Sequence, residues 1–198
     1  MRSLQSRFLR SLCRLVQVRR KPTAKIEQFR ADLDWYGDLM PVPPGTVSEP
    51  LTIGNIPAAW IRVGKSLPSL TLLYLHGGGF IMGSIRSHRS LIARLSAAAR
   101  ARTLALNYRL APEYPFPAAF EDSLGAYRWL LQQGVPPQQI VIAGDSAGGN
   151  LTLTTLLALR DAGDPLPAAA VCLSPATDLS GQGETLRTHA ERDPILTP

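Results

Sequence analysis

The stretch Ile140-Val141-Ile142-Ala143-Gly144-Asp145-Ser146-Ala147-Gly148 decides the fold class of this sequence. Its apolar beginning is typical of a buried strand, and the spacing of apolar residues over 147–161 predicts a helix. Between the two, Gly-x-Ser-x-Gly predicts a tight turn with a strained backbone that lifts the hydroxyl of Ser146 above a sheet. Side chains two positions away on either side would collide with this turn, which explains Gly144 and Gly148. The flanking strand and helix favour a nucleophilic serine over an ordinary glycine-rich turn.

A second glycine-rich motif, His76-Gly77-Gly78-Gly79, ends a short apolar run and precedes the candidate nucleophile by 67 residues. Successive glycines let backbone N–H groups approach a ligand closely. Together with the N–H of Ala147, they predict an oxyanion hole that would stabilise a tetrahedral intermediate of acyl transfer. Gly78 and Gly79 are the favoured donors, whereas Gly77 shares that role or serves the turn geometry. The imidazole of His76 is predicted to hold the loop through hydrogen bonds rather than to act as a base.

Strand-like and helical runs alternate along the body of the chain. This order predicts the α/β class, with a mostly parallel sheet that carries helices on both faces and an edge hairpin at its beginning. His88, in the helix after the glycine loop, is expected to be a surface or packing residue rather than a base. The predicted strands are 46–53, 57–63, 70–75, 103–107, 140–143 and 169–173, and the predicted helices are 87–100, 117–133 and 147–161.

The N-terminal end differs from the rest of the chain in charge. Residues 1–30 contain nine Lys/Arg and one acid, whereas residues 31–198 contain twelve Lys/Arg and fourteen acids. An apolar stripe over 4–16 and a helical stretch over 24–39 predict two helices, which the proline-rich segment 40–45 separates from the body. The first helix either packs on the protein with its arginines in solvent, or lies on an anionic membrane surface or over a substrate entrance.

Composition excludes several classes of protein. With 198 residues, of which 45% are hydrophobic and 18% charged, the chain can bury a sizeable core and is not disordered as a whole. No apolar run approaches the roughly 20 residues that span a bilayer, and arginines interrupt the N-terminal stripe as they would not in a secretory signal. Two distant cysteines build neither a disulfide framework nor a thiolate metal site, which favours a cytoplasmic protein. The body has no basic stripe with interleaved aromatics, so we expect no nucleic-acid partner.

Further motifs accompany the two glycine motifs in a fixed order along the chain. Taken together, they resemble those of the hormone-sensitive-lipase-like esterases, which have the α/β-hydrolase fold. The motifs that carry this resemblance are His76-Gly77-Gly78-Gly79-Phe80, Tyr108-Arg109-Leu110-Ala111-Pro112-Glu113, Phe116-Pro117-Ala118-Ala119 with Glu121-Asp122, Gly144-Asp145-Ser146-Ala147-Gly148-Gly149-Asn150, Ser174-Pro175-Ala176-Thr177-Asp178-Leu179 and Asp193-Pro194-Ile195-Leu196-Thr197-Pro198.

The resemblance implies a carboxylic ester hydrolase that works through an acyl-enzyme on Ser146. Such an enzyme takes small-molecule esters and needs neither a metal nor an organic cofactor. The resemblance also implies a division of the chain into N-terminal cap helices at 1–40 and the N-terminal part of an α/β-hydrolase domain at 41–198. The alternative is a catalytically inactive member that uses the same fold to bind a ligand.

The sequence departs from this family in the partners of the serine. This fold requires an acid and then a histidine after the nucleophile. The resemblance implies that both come after the segment 193–198, on loops that follow two further strands. It also implies that His189, with Asp178 and Glu184 before it, lies in an excursion into the cap rather than on the base-bearing loop. We therefore expect a C-terminally truncated piece of a longer esterase, with an incomplete sheet and little activity alone. The run 169–173 would be an exposed edge that favours self-association.

Overall fold

The computed structural model describes residues 25–64 and 69–189. Ile26–Ala176 form one compact unit, and Thr177 to His189 belong to another. The helix predicted over 4–16 lies outside the described residues, and the domain boundary predicted at residue 40 stays a prediction. The elements in chain order are α1 (Ile26–Leu39), β1 (Thr46–Ile53), β2 (Ile56–Val63), β3 (Thr71–Leu75), α2 (Ile85–Ala99), β4 (Arg102–Leu106), α3 (Ala118–Gln132), a 3₁₀ turn (Pro137–Gln139), β5 (Ile140–Asp145), α4 (Ala147–Ala162), β6 (Ala169–Leu173) and α5 (Glu184–Thr188).

The six strands form one sheet in the order β1-β2-β4-β3-β5-β6. Strands β3 to β6 run parallel, whereas β1 and β2 form an antiparallel hairpin at one side and β2 pairs antiparallel with β4. The predicted α/β class, the mostly parallel sheet and the edge hairpin are confirmed. Because β3 and β5 are parallel neighbours, the two glycine motifs that follow or end them meet at one edge of the sheet.

Helices cover both faces of the sheet, as predicted. In β3, Leu73 and Leu75 pack with α3 and α4, whereas Tyr74 points to the other face and packs with α2. All five side chains of β3 are buried. This double burial explains why the strand appears in the sequence as a continuous apolar run rather than an alternating pattern.

Helix α2 begins two residues before the predicted start because Ser84 caps it. The Ser84 hydroxyl accepts a hydrogen bond from the Ser87 N–H at 3.0 Å, and the Ser87 hydroxyl accepts one from the Ser84 N–H at 2.8 Å. This reciprocal capping satisfies backbone donors that the first turn leaves without partners. It also fixes the first turn of α2, which carries His88.

Strand β6 forms the edge opposite the hairpin. Its register with β5 runs from Val141↔Ala169 to Asp145↔Leu173, and no described strand pairs with its other side. Its first three residues are exposed, and Val171 is 41% accessible. The described part of the chain thus shows the exposed edge that the sequence predicts for 169–173.

Candidate active site

Ser146 lies at the junction of β5 and α4, on the turn that the motif predicts. Its φ of 50° and ψ of −114° lie where side-chain-bearing residues are rarely found, so the predicted backbone strain is observed. The turn is closed by the Ser146 N–H, which donates to the Leu173 carbonyl, and by the Ala176 N–H, which donates to the Ser146 carbonyl, both at 3.0 Å. The serine is exposed, and its hydroxyl has no hydrogen-bond partner among the described residues.

The glycines on either side of the serine leave no room for a side chain. A Cβ at Gly144 would lie 2.3 Å from the Gly148 carbonyl oxygen, and a Cβ at Gly148 would lie 1.9 Å from the Leu75 carbonyl oxygen. These distances confirm the collision that the motif predicts. They also show that the start of α4 rests on the end of β3, which places the serine beside the glycine loop.

The glycine loop after β3 adopts backbone angles that favour glycine. Gly78 has a φ of 124° and Gly79 a φ of 63°. The N–H groups of Ile81 and Met82 both donate to the Gly78 carbonyl, at 3.2 and 3.0 Å, so the loop folds back on itself. Within the described residues, the N–H groups of Gly78 and Gly79 donate to no acceptor. Two donors are therefore available to a ligand at this edge.

Gly77 differs from the two glycines that follow it. Its N–H donates to Asp145 Oδ1 at 2.9 Å, so this donor is already occupied. Of the two roles expected for Gly77, the contacts favour turn geometry over oxyanion binding. Ala147 is buried at the first position of α4, where the helix dipole favours negative charge at its N–H.

His76 is buried beneath the glycine loop, with 1% of its surface accessible. Its Nδ1 lies 2.8 Å from the Gly77 carbonyl oxygen, and its ring stacks on Tyr108 with 4.2 Å between ring centroids. The Tyr108 hydroxyl donates to the His76 carbonyl at 2.7 Å. Burial lowers the pKa of His76 to about 4, so the imidazole is neutral near pH 7. These contacts support a structural role for His76.

A carboxylate–imidazole pair beside the serine was not predicted. Asp145 Oδ2 lies 3.5 Å from His88 Nε2, and both side chains are largely buried. Burial by itself raises the pKa of Asp145, but hydrogen bonds from His88 and Tyr74 outweigh it and hold that pKa below its usual value. His88 therefore packs against a charged group of the site. In the sequence, this pair is indicated only by an acid directly before the nucleophile and a histidine in the first turn of the helix after the glycine loop.

His189 and Asp178, which follow the serine in the chain, have local partners. His189 is exposed at the end of α5, where its Nδ1 lies 2.9 Å from the Thr188 hydroxyl. Asp178 accepts a hydrogen bond from the Ser180 N–H at 2.9 Å. Neither contact resembles the imidazole–carboxylate bond of a catalytic triad. The expectation that His189 is not the general base stays a prediction.

Residues 72–198 match the family described as alpha/beta hydrolase fold. The chain belongs to the α/β-hydrolase family. This α/β hydrolase is 52% identical over 155 residues to an acetyl-hydrolase of Streptomyces hygroscopicus, a match that covers 78% of this chain and 50% of that protein. It is 41% identical over 136 residues to an ethyl acetate hydrolase of Pseudomonas putida, covering 64% of this chain and 42% of that protein.

Solved structures agree with these sequence matches. A crystal structure of an esterase from the bacterial hormone-sensitive lipase family superposes with a TM-score of 0.92 at 40% identity, covering 100% of this chain and 66% of that one. The resemblance to the hormone-sensitive-lipase-like esterases is confirmed. The chain spans about half the length of curated relatives that it matches. Within its described residues, no helix is long and apolar enough to cross a membrane.

Proposed function

We propose that this α/β hydrolase is a serine carboxylesterase, which hydrolyses small-molecule carboxylic esters through an acyl-enzyme on Ser146. The observation that carries the proposal is the exposed serine on a strained turn beside the unpaired N–H groups of Gly78 and Gly79. The names of two relatives, acetyl-hydrolase and ethyl acetate hydrolase, support a short acyl group as the first substrate to test.

The proposed chemistry has two steps. Ser146 Oγ attacks the ester carbonyl carbon and loses its proton to a histidine, and the carbonyl oxygen becomes an oxyanion. This oxyanion accepts hydrogen bonds from the N–H groups of Gly78 and Gly79 in the glycine loop and of Ala147 at the N-terminal end of α4. The tetrahedral intermediate then collapses, its bond to the alcohol oxygen breaks, and the departing alcohol takes the proton from the histidine. In the second step water attacks the acyl carbon and gives a proton to the histidine, the bond to Ser146 Oγ breaks, the acid leaves, and Ser146 Oγ takes the proton back. Gly77 supports the loop instead of donating, because its N–H is bound to Asp145.

We further propose that the acid and histidine of the triad are not among the described residues that surround Ser146. In this view the 198-residue stretch alone is nearly inactive. An oxyanion hole without its triad retains an advantage over water on the order of 10³- to 10⁴-fold, far below that of a complete enzyme. Wild-type rates from the 198-residue stretch alone would contradict this part of the proposal.

The test is hydrolysis of p-nitrophenyl acetate and butyrate by the product of the full reading frame that encodes this chain. We expect Ser146→Ala to abolish hydrolysis and covalent labelling by a fluorophosphonate probe. Ser48→Ala, which changes an exposed serine of β1, should retain both. A protein that binds such esters without hydrolysing them, and binds them equally well as Ser146→Ala, would overturn the esterase and support the ligand-binding alternative.

Three further expectations about partners and location stay proposals. The open side of β6 is proposed to mediate self-association. Peripheral membrane contact is proposed for residues 4–16, which lie outside the described residues. The cytoplasmic location rests on cysteine content alone.

A further inference from the structure

Asp145 contacts both halves of the candidate site. It is the last residue of β5 and is joined to Ser146 by a peptide bond. Its Oδ1 accepts hydrogen bonds from the Gly77 N–H at 2.9 Å and from the Tyr74 hydroxyl at 2.6 Å. One side chain therefore connects the residue before the nucleophile to the first glycine of the loop.

The contact between Asp145 and the loop backbone is close. A Cβ at Gly77 would lie 2.2 Å from Asp145 Oδ2, so only a glycine lets the loop rest on the carboxylate. Gly78 follows directly and carries a proposed oxyanion donor. A displacement of Gly77 therefore displaces that donor, and misplacement by about 1 Å can cost on the order of 10²-fold in rate.

His88 holds the second oxygen of the carboxylate. Its Nδ1 lies 2.8 Å from the Ser87 hydroxyl, which leaves Nε2 facing Asp145 Oδ2 at 3.5 Å. The ring is held in the capped first turn of α2 and lies 5.4 Å, centroid to centroid, from the buried ring of His76. Hydrogen bonds from Tyr74 on β3 and from the glycine loop, together with the contact with His88 on α2, thus hold the carboxylate in one orientation.

We propose that Asp145 is a positioning residue of the oxyanion hole. Its carboxylate, oriented by His88 and Tyr74, sets where the N–H groups of the glycine loop lie relative to Ser146. This inference rests on the proposed esterase function. Asp145 acts through the loop and exchanges no proton with the substrate.

The test begins with Asp145→Asn, which keeps the shape of the side chain, in the product of the full reading frame that encodes this chain. Gly77 and His88 contact different oxygens of the carboxylate, and asparagine has a carbonyl oxygen on one side only, so one of the two contacts is lost. We expect kcat to fall by roughly 10- to 100-fold while KM changes by less than about 2-fold, because the donors act in the transition state. Affinity for phenylboronic acid, which mimics the tetrahedral intermediate, should fall in parallel with kcat.

Two controls separate positioning from general damage. His88→Gln keeps an N–H donor and should retain more activity and boronate affinity than His88→Ala. Asp164→Asn removes a carboxylate that lies 2.6 Å from Arg128, away from the site, and should leave both readouts unchanged. If Asp145→Asn does not fold, the two His88 variants make the same comparison.

Hydrogen exchange measured by mass spectrometry gives a readout that needs no turnover. In folded Asp145→Asn, exchange over 76–83 should quicken by about 10-fold, whereas α4 should keep its protection. Unchanged exchange over 76–83, or a lower kcat with unchanged boronate affinity, would overturn the inference. Failure of the proposed esterase function can be distinguished from failure of this inference. In the former case the wild-type protein would be inactive toward esters, whereas hydrogen exchange over 76–83 would still quicken in Asp145→Asn.

Discussion

At the scale of single residues, Gly148 and Gly125 differ in the space that is available for a side chain. A Cβ at Gly148 would meet the carbonyl oxygen of Leu75 at 1.9 Å, and both residues are buried. Neither backbone can move without disturbing the close packing around it. Gly125 is exposed within α3, and nothing lies within 4 Å of a Cβ built there.

Replacement by alanine should therefore change the free energy of unfolding in opposite directions at the two positions. We expect Gly148→Ala to lower the free energy of unfolding by more than about 2 kcal/mol, because it overpacks a site bounded by backbone. Gly125→Ala should raise it by about 0.5 to 1 kcal/mol, because alanine loses less conformational freedom in a helix. Urea denaturation measures both values. Similar effects at the two positions would contradict the proposed steric role of Gly148.

At the scale of elements, Arg30 ties α1 to the loops around the site. Its guanidinium donates to both carboxylate oxygens of Glu113, and to the carbonyl oxygens of Ile81 and Ala111, each at 2.8 Å. Ile81 belongs to the segment just after the glycine loop. A bidentate pair of this kind fixes direction as well as distance, so α1 is held in register with that segment.

This tie predicts a pH-dependent contribution to stability. The hydrogen bond from Arg30 lowers the pKa of Glu113 from its ordinary value of 4.5 to about 2. The stabilisation is therefore present above pH 4.5, and it is lost as the pH falls toward 2. Glu113→Gln should lower the melting temperature at pH 7, and the gap to wild type should narrow between pH 4.5 and 3.

Thermal unfolding at pH 7, 5 and 3 measures this gap. Glu49→Gln is the matched control, because Glu49 pairs with Arg62 at 3.2 Å on the exposed edge hairpin and holds no loop. Exposed ion pairs contribute little to stability, so the melting temperature of this variant should be close to that of wild type at all three pH values. A gap in melting temperature for Glu113→Gln that is constant across the three pH values would exclude the Arg30–Glu113 ion pair as its cause.

At the scale of the whole molecule, β6 presents an open edge. Within the described residues, no strand pairs with its outer side. Val171, in the middle of this strand, is 41% accessible. Unpaired backbone groups beside apolar side chains favour pairing with another sheet. Two copies of the 198-residue chain could therefore pair with each other through β6.

We expect the 198-residue chain to elute from size-exclusion chromatography at a mass that rises with concentration. Val171→Lys should shift it toward the monomer, because a charge on an edge strand opposes pairing. Leu157→Lys adds the same charge at a 49% exposed position of α4 and should leave the association unchanged. A monomer at all concentrations, or equal effects of the two substitutions, would contradict association through β6.

The sequence by itself determined the features that depend on neighbouring residues. Continuous apolar runs predict strands buried on both faces, and the glycines two positions from Ser146 follow from the steric limits of a tight turn. The order of these motifs was enough to predict the fold class and the candidate nucleophile. The strand and turn inferences need only the geometry of a few successive residues, and the fold class needs only the order of such segments along the chain.

Only the tertiary structure decided which distant groups meet. The bond from Gly77 to Asp145 joins residues 68 positions apart, and that from Arg30 to Glu113 joins residues 83 positions apart. The first depends on the register of β3 against β5, and the second on the placement of α1. Neither appears in local sequence, because both are set by how whole elements pack. For this reason the contact with Asp145, which favours a turn role for Gly77 over a role as oxyanion donor, is visible only in the folded chain.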